Sequence, residues 1–317
     1  MVALMKYIFI LTLLLTSITF AKDFDETLKL AKEGDAEAQF EVGKTYYSGR
    51  SNQEYREQAL KWYRKSAEQG HVQAQFHLSS LVSGKEAFKW CKKAAEQGHS
   101  VAQFNLAVSY SKGNGVPQND KEAFKWYRKS AEHGFSPAQN TLGYIYSNGQ
   151  GVPTDKKEAF KWYLKSAEQG NAEAQVNLGQ LYSEGNGVPQ NDKEAFKWFM
   201  KSAQQGFQIG EYNLGITYDI GKGVPQNYKE ALKWYRKAAE QGYVKAQVNL
   251  GSMYFRGKGV PESYITAYVW FSMAKTSGDE MGAKNIEVVT RKMTKKQIAE
   301  GQALATKCFK SNFKDCD

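Results

Sequence analysis

The chain has 317 residues, 41% of them apolar and 14% aromatic, and its 43 Lys and Arg outnumber 33 Asp and Glu for a formal charge of +10. So many large apolar groups exclude a disordered chain, and the length exceeds what one ordinary compact domain holds, which leaves two domains or an extended repeat array. The basic surplus admits anionic partners, but where the charges lie matters more than their sum.

Residues 1–21 read as a secretory signal peptide. Lys6 supplies the positive start, residues 7–15 are a short apolar run, and Thr19 and Ala21 are small residues just before a cut at Lys22. A membrane-anchoring helix is the alternative, for which the run is short. No cysteine follows the cut, so no lipid anchor is indicated. No later stretch is long and apolar enough to span a bilayer. Export to the periplasm or beyond follows, and export permits disulfides. Residues 22–34 are expected to hold one capping helix, over 24–33.

A repeat then dominates. The string Ser-Ala-Glu-Gln-Gly, or a near variant, ends at Gly70, Gly98, Gly134, Gly170, Gly206 and Gly242, and Lys-Thr-Ser-Gly closes a looser copy at Gly278. The seven units are 35–70, 71–98, 99–134, 135–170, 171–206, 207–242 and 243–278; six have 36 residues and the second has 28. Self-similarity at this period marks stacked helical hairpins.

The fifth unit shows the logic. Ala174, Leu178, Leu181 and Tyr182 recur at spacings of three and four, which predicts a first helix over 172–183 with one buried face. Gly179 inside that helix costs about 1 kcal/mol against Ala. Its recurrence at Gly43, Gly143, Gly215 and Gly251 predicts a close approach that admits no side chain. Gly185-Asn186-Gly187-Val188-Pro189 turns the chain, with Val188 plugging the space between the helices. Asn191-x-x-Glu194 predicts a reciprocal capping box at the second helix, as do Asn119/Glu122, Asp155/Glu158 and Asn227/Glu230. Ala195, Trp198, Phe199 and Ala203 form its buried stripe.

One hairpin cannot bury its apolar face alone, so neighbours stack; the expected fold class is all-α, a right-handed α/α superhelical solenoid. Residues 279–317 are expected to close it with two helices, over 281–291 and 294–306, and a tail. Thr294-x-x-Gln297 offers a further capping box.

The pattern Tyr212-Asn213-Leu214-Gly215, Gly221-Lys222-Gly223-Val224-Pro225 and Ala231-Leu232-Lys233-Trp234-Tyr235 closely resembles the Sel1-like repeat, a relative of the tetratricopeptide repeat, and the resemblance covers nearly all of the mature chain. It implies a scaffold or adaptor in protein complexes. Two units depart from the pattern: the first has Arg50-Ser51-Asn52 in its loop, and the second runs Ser83-Gly84-Lys85 straight into its second helix. The Cys pairs of the secreted cysteine-rich branch are missing here. Cys308 and Cys316, eight apart, are a possible disulfide; Cys91 replaces a Tyr63-type residue and reads as a packed thiol.

In related arrays ligands lie in a concave groove of first helices. Carried over, the position two before the Leu is Phe40, Phe76, Phe104, Asn140, Val176, Tyr212 and Val248; the position after the Gly includes Tyr144; the position after the Tyr includes Tyr47 and Phe255. These vary while the core repeats. The expected partner-binding residues are therefore Phe40, Tyr47, Phe76, Phe104, Tyr144, Tyr212 and Phe255, and the partner a protein or peptide. The second-helix lysines and arginines, such as Lys125, Arg128 and Lys129, read as a solvated face, with an anionic glycan or peptidoglycan as the sharper alternative. Nucleic acid is not expected of an exported protein, and a monomer is.

No catalytic, cofactor or metal residues are assigned. Ser272-x-x-Lys275 with Thr276-Ser277-Gly278 resembles motifs of penicillin-recognising enzymes, but the elements overlap here on one helix end. Some cysteine-rich family members bind or weakly hydrolyse β-lactams, so β-lactam or peptidoglycan-fragment binding is the alternative function. His71 and His99 occupy equivalent positions; two imidazoles fall short of a zinc site.

Overall fold

The computed structural model describes residues 23–49 and 52–316, and the signal-like segment lies outside them. Among the described residues the regular structure is entirely helical. A helix α1 over residues 23–33 precedes seven hairpins. They are α2 (Ala36–Gly49) and α3 (Gln53–Glu68), α4 (Val72–Leu81) and α5 (Gly84–Glu96), and α6 (Ser100–Lys112) and α7 (Asp120–Glu132). Next come α8 (Ser136–Asn148) and α9 (Lys156–Glu168), α10 (Ala172–Glu184) and α11 (Asp192–Gln204), and α12 (Gln208–Ile220) and α13 (Tyr228–Glu240). The seventh is α14 (Val244–Arg256) and α15 (Tyr264–Thr276), followed by α16 (Glu280–Thr290) and α17 (Lys295–Lys310). The chain divides into two compact units, the first ending at Ala138 and the second beginning at Gln139. No helix among the described residues is long and apolar enough to cross a membrane.

Within each unit, the first and second helices of a repeat pack side by side over a repeating core. The first helix contributes Leu78, Leu106, Leu178, Leu214 or Leu250, each fully buried. The second contributes an aromatic pair, as in Trp62–Tyr63 and Trp234–Tyr235. The recurring glycine fits under that second ring. A Cβ built on Gly43 would stand 2.8 Å from the Tyr63 ring, on Gly143 2.6 Å from Tyr163, on Gly179 2.6 Å from Phe199, and on Gly215 2.6 Å from Tyr235. Carbon atoms prefer about 3.5–4.0 Å, so no side chain fits. The second repeat changes both partners together: Ser79 stands at the glycine position and Cys91 at the ring position. Burial pushes the Cys91 thiol up to about 12, and it donates to the Ala102 carbonyl at 3.3 Å, which leaves it packed and un-ionised.

The loops are closed by backbone geometry. Gly185 caps α10 in the left-handed region at φ 71°, and the Asn191 N–H donates to the Tyr182 carbonyl at 2.9 Å. Gly187 answers a second demand. A Cβ there would lie 2.2 Å from the Lys156 carbonyl oxygen, the first residue of the preceding repeat's second helix. Val188 packs into the core between the two repeats.

The capping differs from expectation. Asn119, Asp155, Asn191 and Asn227 each accept from the N–H of the Glu three residues on. Those glutamates do not complete a box. Glu122, Glu158, Glu194 and Glu230 turn outward to Lys125, Lys161, Lys197 and Lys233, one helical turn ahead. The full reciprocal box forms at Thr294 and Gln297. Cys308 and Cys316 are disulfide-bonded, and the tail they close lays Phe313 against the core of the last repeats.

Candidate partner-binding surfaces

Between successive repeats runs a polar seam that the sequence reading passed over. Gln39, Gln75, Gln103, Gln175 and Gln247 are buried on first helices, and each donates through Nε2 to a carbonyl eight residues earlier: Ala31, Ala67, Ala95, Ala167 and Ala239. Each of those carbonyls belongs to the preceding repeat or to α1. The Oε1 of the same glutamine accepts from the end of its own repeat's second helix: Gln69, Gln97, His133 and Gln205 reach Gln39, Gln75, Gln103 and Gln175 at 2.8 Å. A buried amide with both ends paired is far cheaper than one left open. The residues themselves sat in view, as an Ala-Gln pair near the start of every first helix but the sixth and a Gln before most of the closing glycines.

Two joints break the rule. In the sixth repeat Glu211 replaces the glutamine, 3% exposed; it accepts from Gln241 Nε2 at 2.7 Å, and burial holds its carboxyl above the usual carboxylate range. In the seventh, Ser277 stands where Gln205 and Gln241 stand, and the buried Gln247 Oε1 has no partner.

The predicted groove residues fall into two groups. Phe40 is only 7% exposed and packs, tilted, on His71 at 4.7 Å, so it belongs to the core. Phe76 stacks on His99 at 4.4 Å, Phe104 meets Phe135 at 5.4 Å, and Tyr212 meets Tyr243 at 5.0 Å. In all four cases the second ring opens the next repeat's first helix. In these four repeats the position two before the Leu is therefore a joint between repeats, a ring facing a ring. Phe255, half-buried, packs on Tyr264 at 5.6 Å. Tyr47 and Tyr144 stay exposed, at 54% and 49%, and Ile220, which the sequence reading did not single out, is 58% exposed at the end of α12.

His71 and His99 act as helix caps. Their Nδ1 atoms accept from the Ala74 and Ala102 N–H groups at 3.1 Å, while Nε2 of His71 faces Glu37 and that of His99 faces Gln73. Ser272 and Lys275 lie one turn apart on α15, and the Ser272 hydroxyl donates to the Tyr268 carbonyl at 2.7 Å. On the second helices, Lys65, Lys129, Lys201 and Lys237 lie over the rings of Trp62, Trp126, Trp198 and Trp234, at 4.8, 4.5, 3.8 and 4.4 Å. With the glutamate-paired lysines beside them, much of the basic face is internally compensated.

A cleft of about 630 Å³ in the first unit lies beside the shortened repeat and is lined by Tyr46, Tyr47, Ser48, Asn52, Gln53, Arg56, Ser80 and Leu81. A second, about 390 Å³, lies on the other side of the same repeat, where Cys91 replaces a ring; Ser79, Asn105 and Ser109 line it.

Family comparison agrees with this construction. The Sel1 repeat model matches residues 36–71, 81–99, 100–135, 136–171, 172–207, 209–243 and 244–279. The chain belongs to the Sel1-repeat family. Sel1 repeats are a protein-interaction fold and are typically not enzymes. The short second match coincides with the abbreviated repeat. Among solved structures, the chain is similar to c5321, a protective antigen present in uropathogenic Escherichia coli strains that displays the Sel1-like repeat fold. Identity is 34%, the TM-score is 0.83, and the match covers 92% of this chain and 64% of that one. The chain thus spans less than two thirds of that relative's length. A Sel1 repeat protein from Oxalobacter formigenes is 31% identical over 74% of this chain and 96% of its own, with a TM-score of 0.66. Comparison with curated protein sequences finds no match.

Proposed function

We propose that the protein is an exported scaffold that binds a protein or peptide partner on the exposed face of its first helices. One observation carries the reading: a constant core of Leu, Trp and Tyr supports a first-helix surface that differs from repeat to repeat and leaves Tyr144 and Ile220 in solvent. Large apolar groups held rigidly and only half covered are what hot spots are made of. The signal-like residues 1–21 and the Cys308–Cys316 disulfide support export, and the similar protective antigen accords with it. The test is affinity capture from native envelope extract with the wild type and a Tyr144→Ala/Ile220→Ala variant, read by mass spectrometry. Specific partners should be lost from the variant. A variant that folds normally and retains every partner refutes the use of this surface.

A further inference from the structure

The regular repeats show what fills the space that the second repeat leaves uncovered. At each regular joint in the second unit, the loop's second glycine lies on the carbonyl of the residue that opens the previous second helix. A Cβ would come within 2.2 Å of it at Gly187, 2.1 Å at Gly223 and 2.5 Å at Gly259, the carbonyls being those of Lys156, Asp192 and Tyr228. A valine follows and enters the core, as Val188 and Val260 do. In the first repeat α3 opens one turn earlier, at Gln53, and the carbonyl at the matching position of the repeat is that of Arg56. The loop that should reach it is missing, because eight residues are absent and Ser83 leads directly into α5. The cleft of about 630 Å³ stands at that place.

Its walls are set to receive backbone. The Arg56 guanidinium spans toward the Leu81 carbonyl at 3.4 Å, a long contact that leaves most of its donors free. Tyr47 is exposed on one side, Asn52 and Gln53 form the first turn of α3, and Leu81 offers an apolar floor.

We propose that this cleft is a docking slot for a loop of a partner protein, one with a glycine that lies on the α3 backbone and a small apolar residue that follows it. This is the loop chemistry that the chain supplies to itself at its regular joints. Tyr47 is the aromatic anchor and Arg56 the donor to the loop's carbonyls. The inference rests on the scaffold reading but uses a different surface from Tyr144 and Ile220.

The probe is a cyclised peptide with the sequence of residues 183–191, Ser-Glu-Gly-Asn-Gly-Val-Pro-Gln-Asn, titrated into the protein and followed by NMR. Shifts should concentrate at Tyr47, Arg56 and Leu81. Tyr47→Ala should weaken binding by about tenfold, as loss of an aromatic anchor does. Copying Glu184–Asn191 between Ser83 and Gly84 restores the missing loop and should abolish binding while leaving the helical circular-dichroism spectrum unchanged. The proposal is overturned if the peptide leaves those residues unshifted at millimolar concentration. It is equally overturned if binding survives in the insertion variant or if Tyr47→Ala leaves the affinity unchanged. Partner capture that depends on Tyr144 and Ile220 but is indifferent to both cleft variants would sink the slot and leave the scaffold standing.

Discussion

Replacing Gly179 by Ala places two effects of opposite sign in direct competition. Helix propensity alone makes the change favourable by about 1 kcal/mol. The ring opposes it: the new methyl would stand 2.6 Å from Phe199 Cε1 and 2.8 Å from Cδ1, so the ring must retreat by about 1 Å to reach van der Waals distance. Overpacking of this kind costs about 1–3 kcal/mol. The third repeat bounds the cost, because it carries Ala107 at this position. Its ring, Tyr127, is 9% exposed, whereas Tyr63, Tyr163 and Tyr235 lie between 0% and 3%, so the ring yields outward and pays only in part. The net expectation is a loss of up to about 2 kcal/mol. Urea unfolding followed by circular dichroism measures it, provided the m-value stays constant. The second repeat supplies the rescue. Gly179→Ser combined with Phe199→Cys reproduces its Ser79–Cys91 pair, and the double variant should be more stable than the sum of its single changes by about 1 kcal/mol or more. A Gly179→Ala variant stabilised by the full propensity gain of about 1 kcal/mol would show that the glycine is not there for the ring, and the packing argument would fail.

The irregular joints of the polar seam give two further tests. Glu211→Gln restores a donor toward the Ala203 carbonyl, which stands in the register that Ala167 has for Gln175, and should stabilise by about 1 kcal/mol at pH 8. Because burial raises the folded-state pKa of Glu211, the wild type is favoured while the group is protonated and loses stability as pH rises through that raised value; the gain from Gln should therefore shrink toward zero near pH 4. Equal gains by chemical denaturation at both pH values would refute the assignment. Ser277→Gln supplies the partner that Gln247 Oε1 lacks and should raise the unfolding free energy by about 1 kcal/mol. The same change made together with Gln247→Ala should give nothing, and any equal gain there would remove the explanation.

Much of the fold was readable because every copy repeats the same local signals. The Leu, Trp and Gly positions, the loop glycines and the closing helices with Thr294 and Gln297 all fall where their periodicity and capping chemistry place them. The site was less readable. Phe40, Phe76, Phe104 and Tyr212 look like a recognition set because they vary, yet each packs on the ring that opens the next repeat, a pairing visible only once the two are in contact. Asn140 and Asn171 are both polar at the same two positions, whereas the seventh repeat has Val248 and Asp279 there, so no motif announced the pairing. The capping boxes failed for an energetic reason. Glu122 and its equivalents have two offers, a backbone N–H and a lysine a turn away, each worth a fraction of about 1 kcal/mol, and a sequence pattern does not rank them.

The buried glutamines also give the stack a direction. Each hands an amide hydrogen backward, and all but Gln247 take a hydrogen bond from their own hairpin, so the opening hairpin relies on α1 to offer the Ala31 carbonyl, while α16 carries Ala283 at the corresponding place and asks for nothing. α1 and α16 are thus chemically unlike flanks of the repeat array. Between these flanks, every joint that keeps the glutamine asks the same of its neighbour, so the array can gain or lose length one 36-residue module at a time.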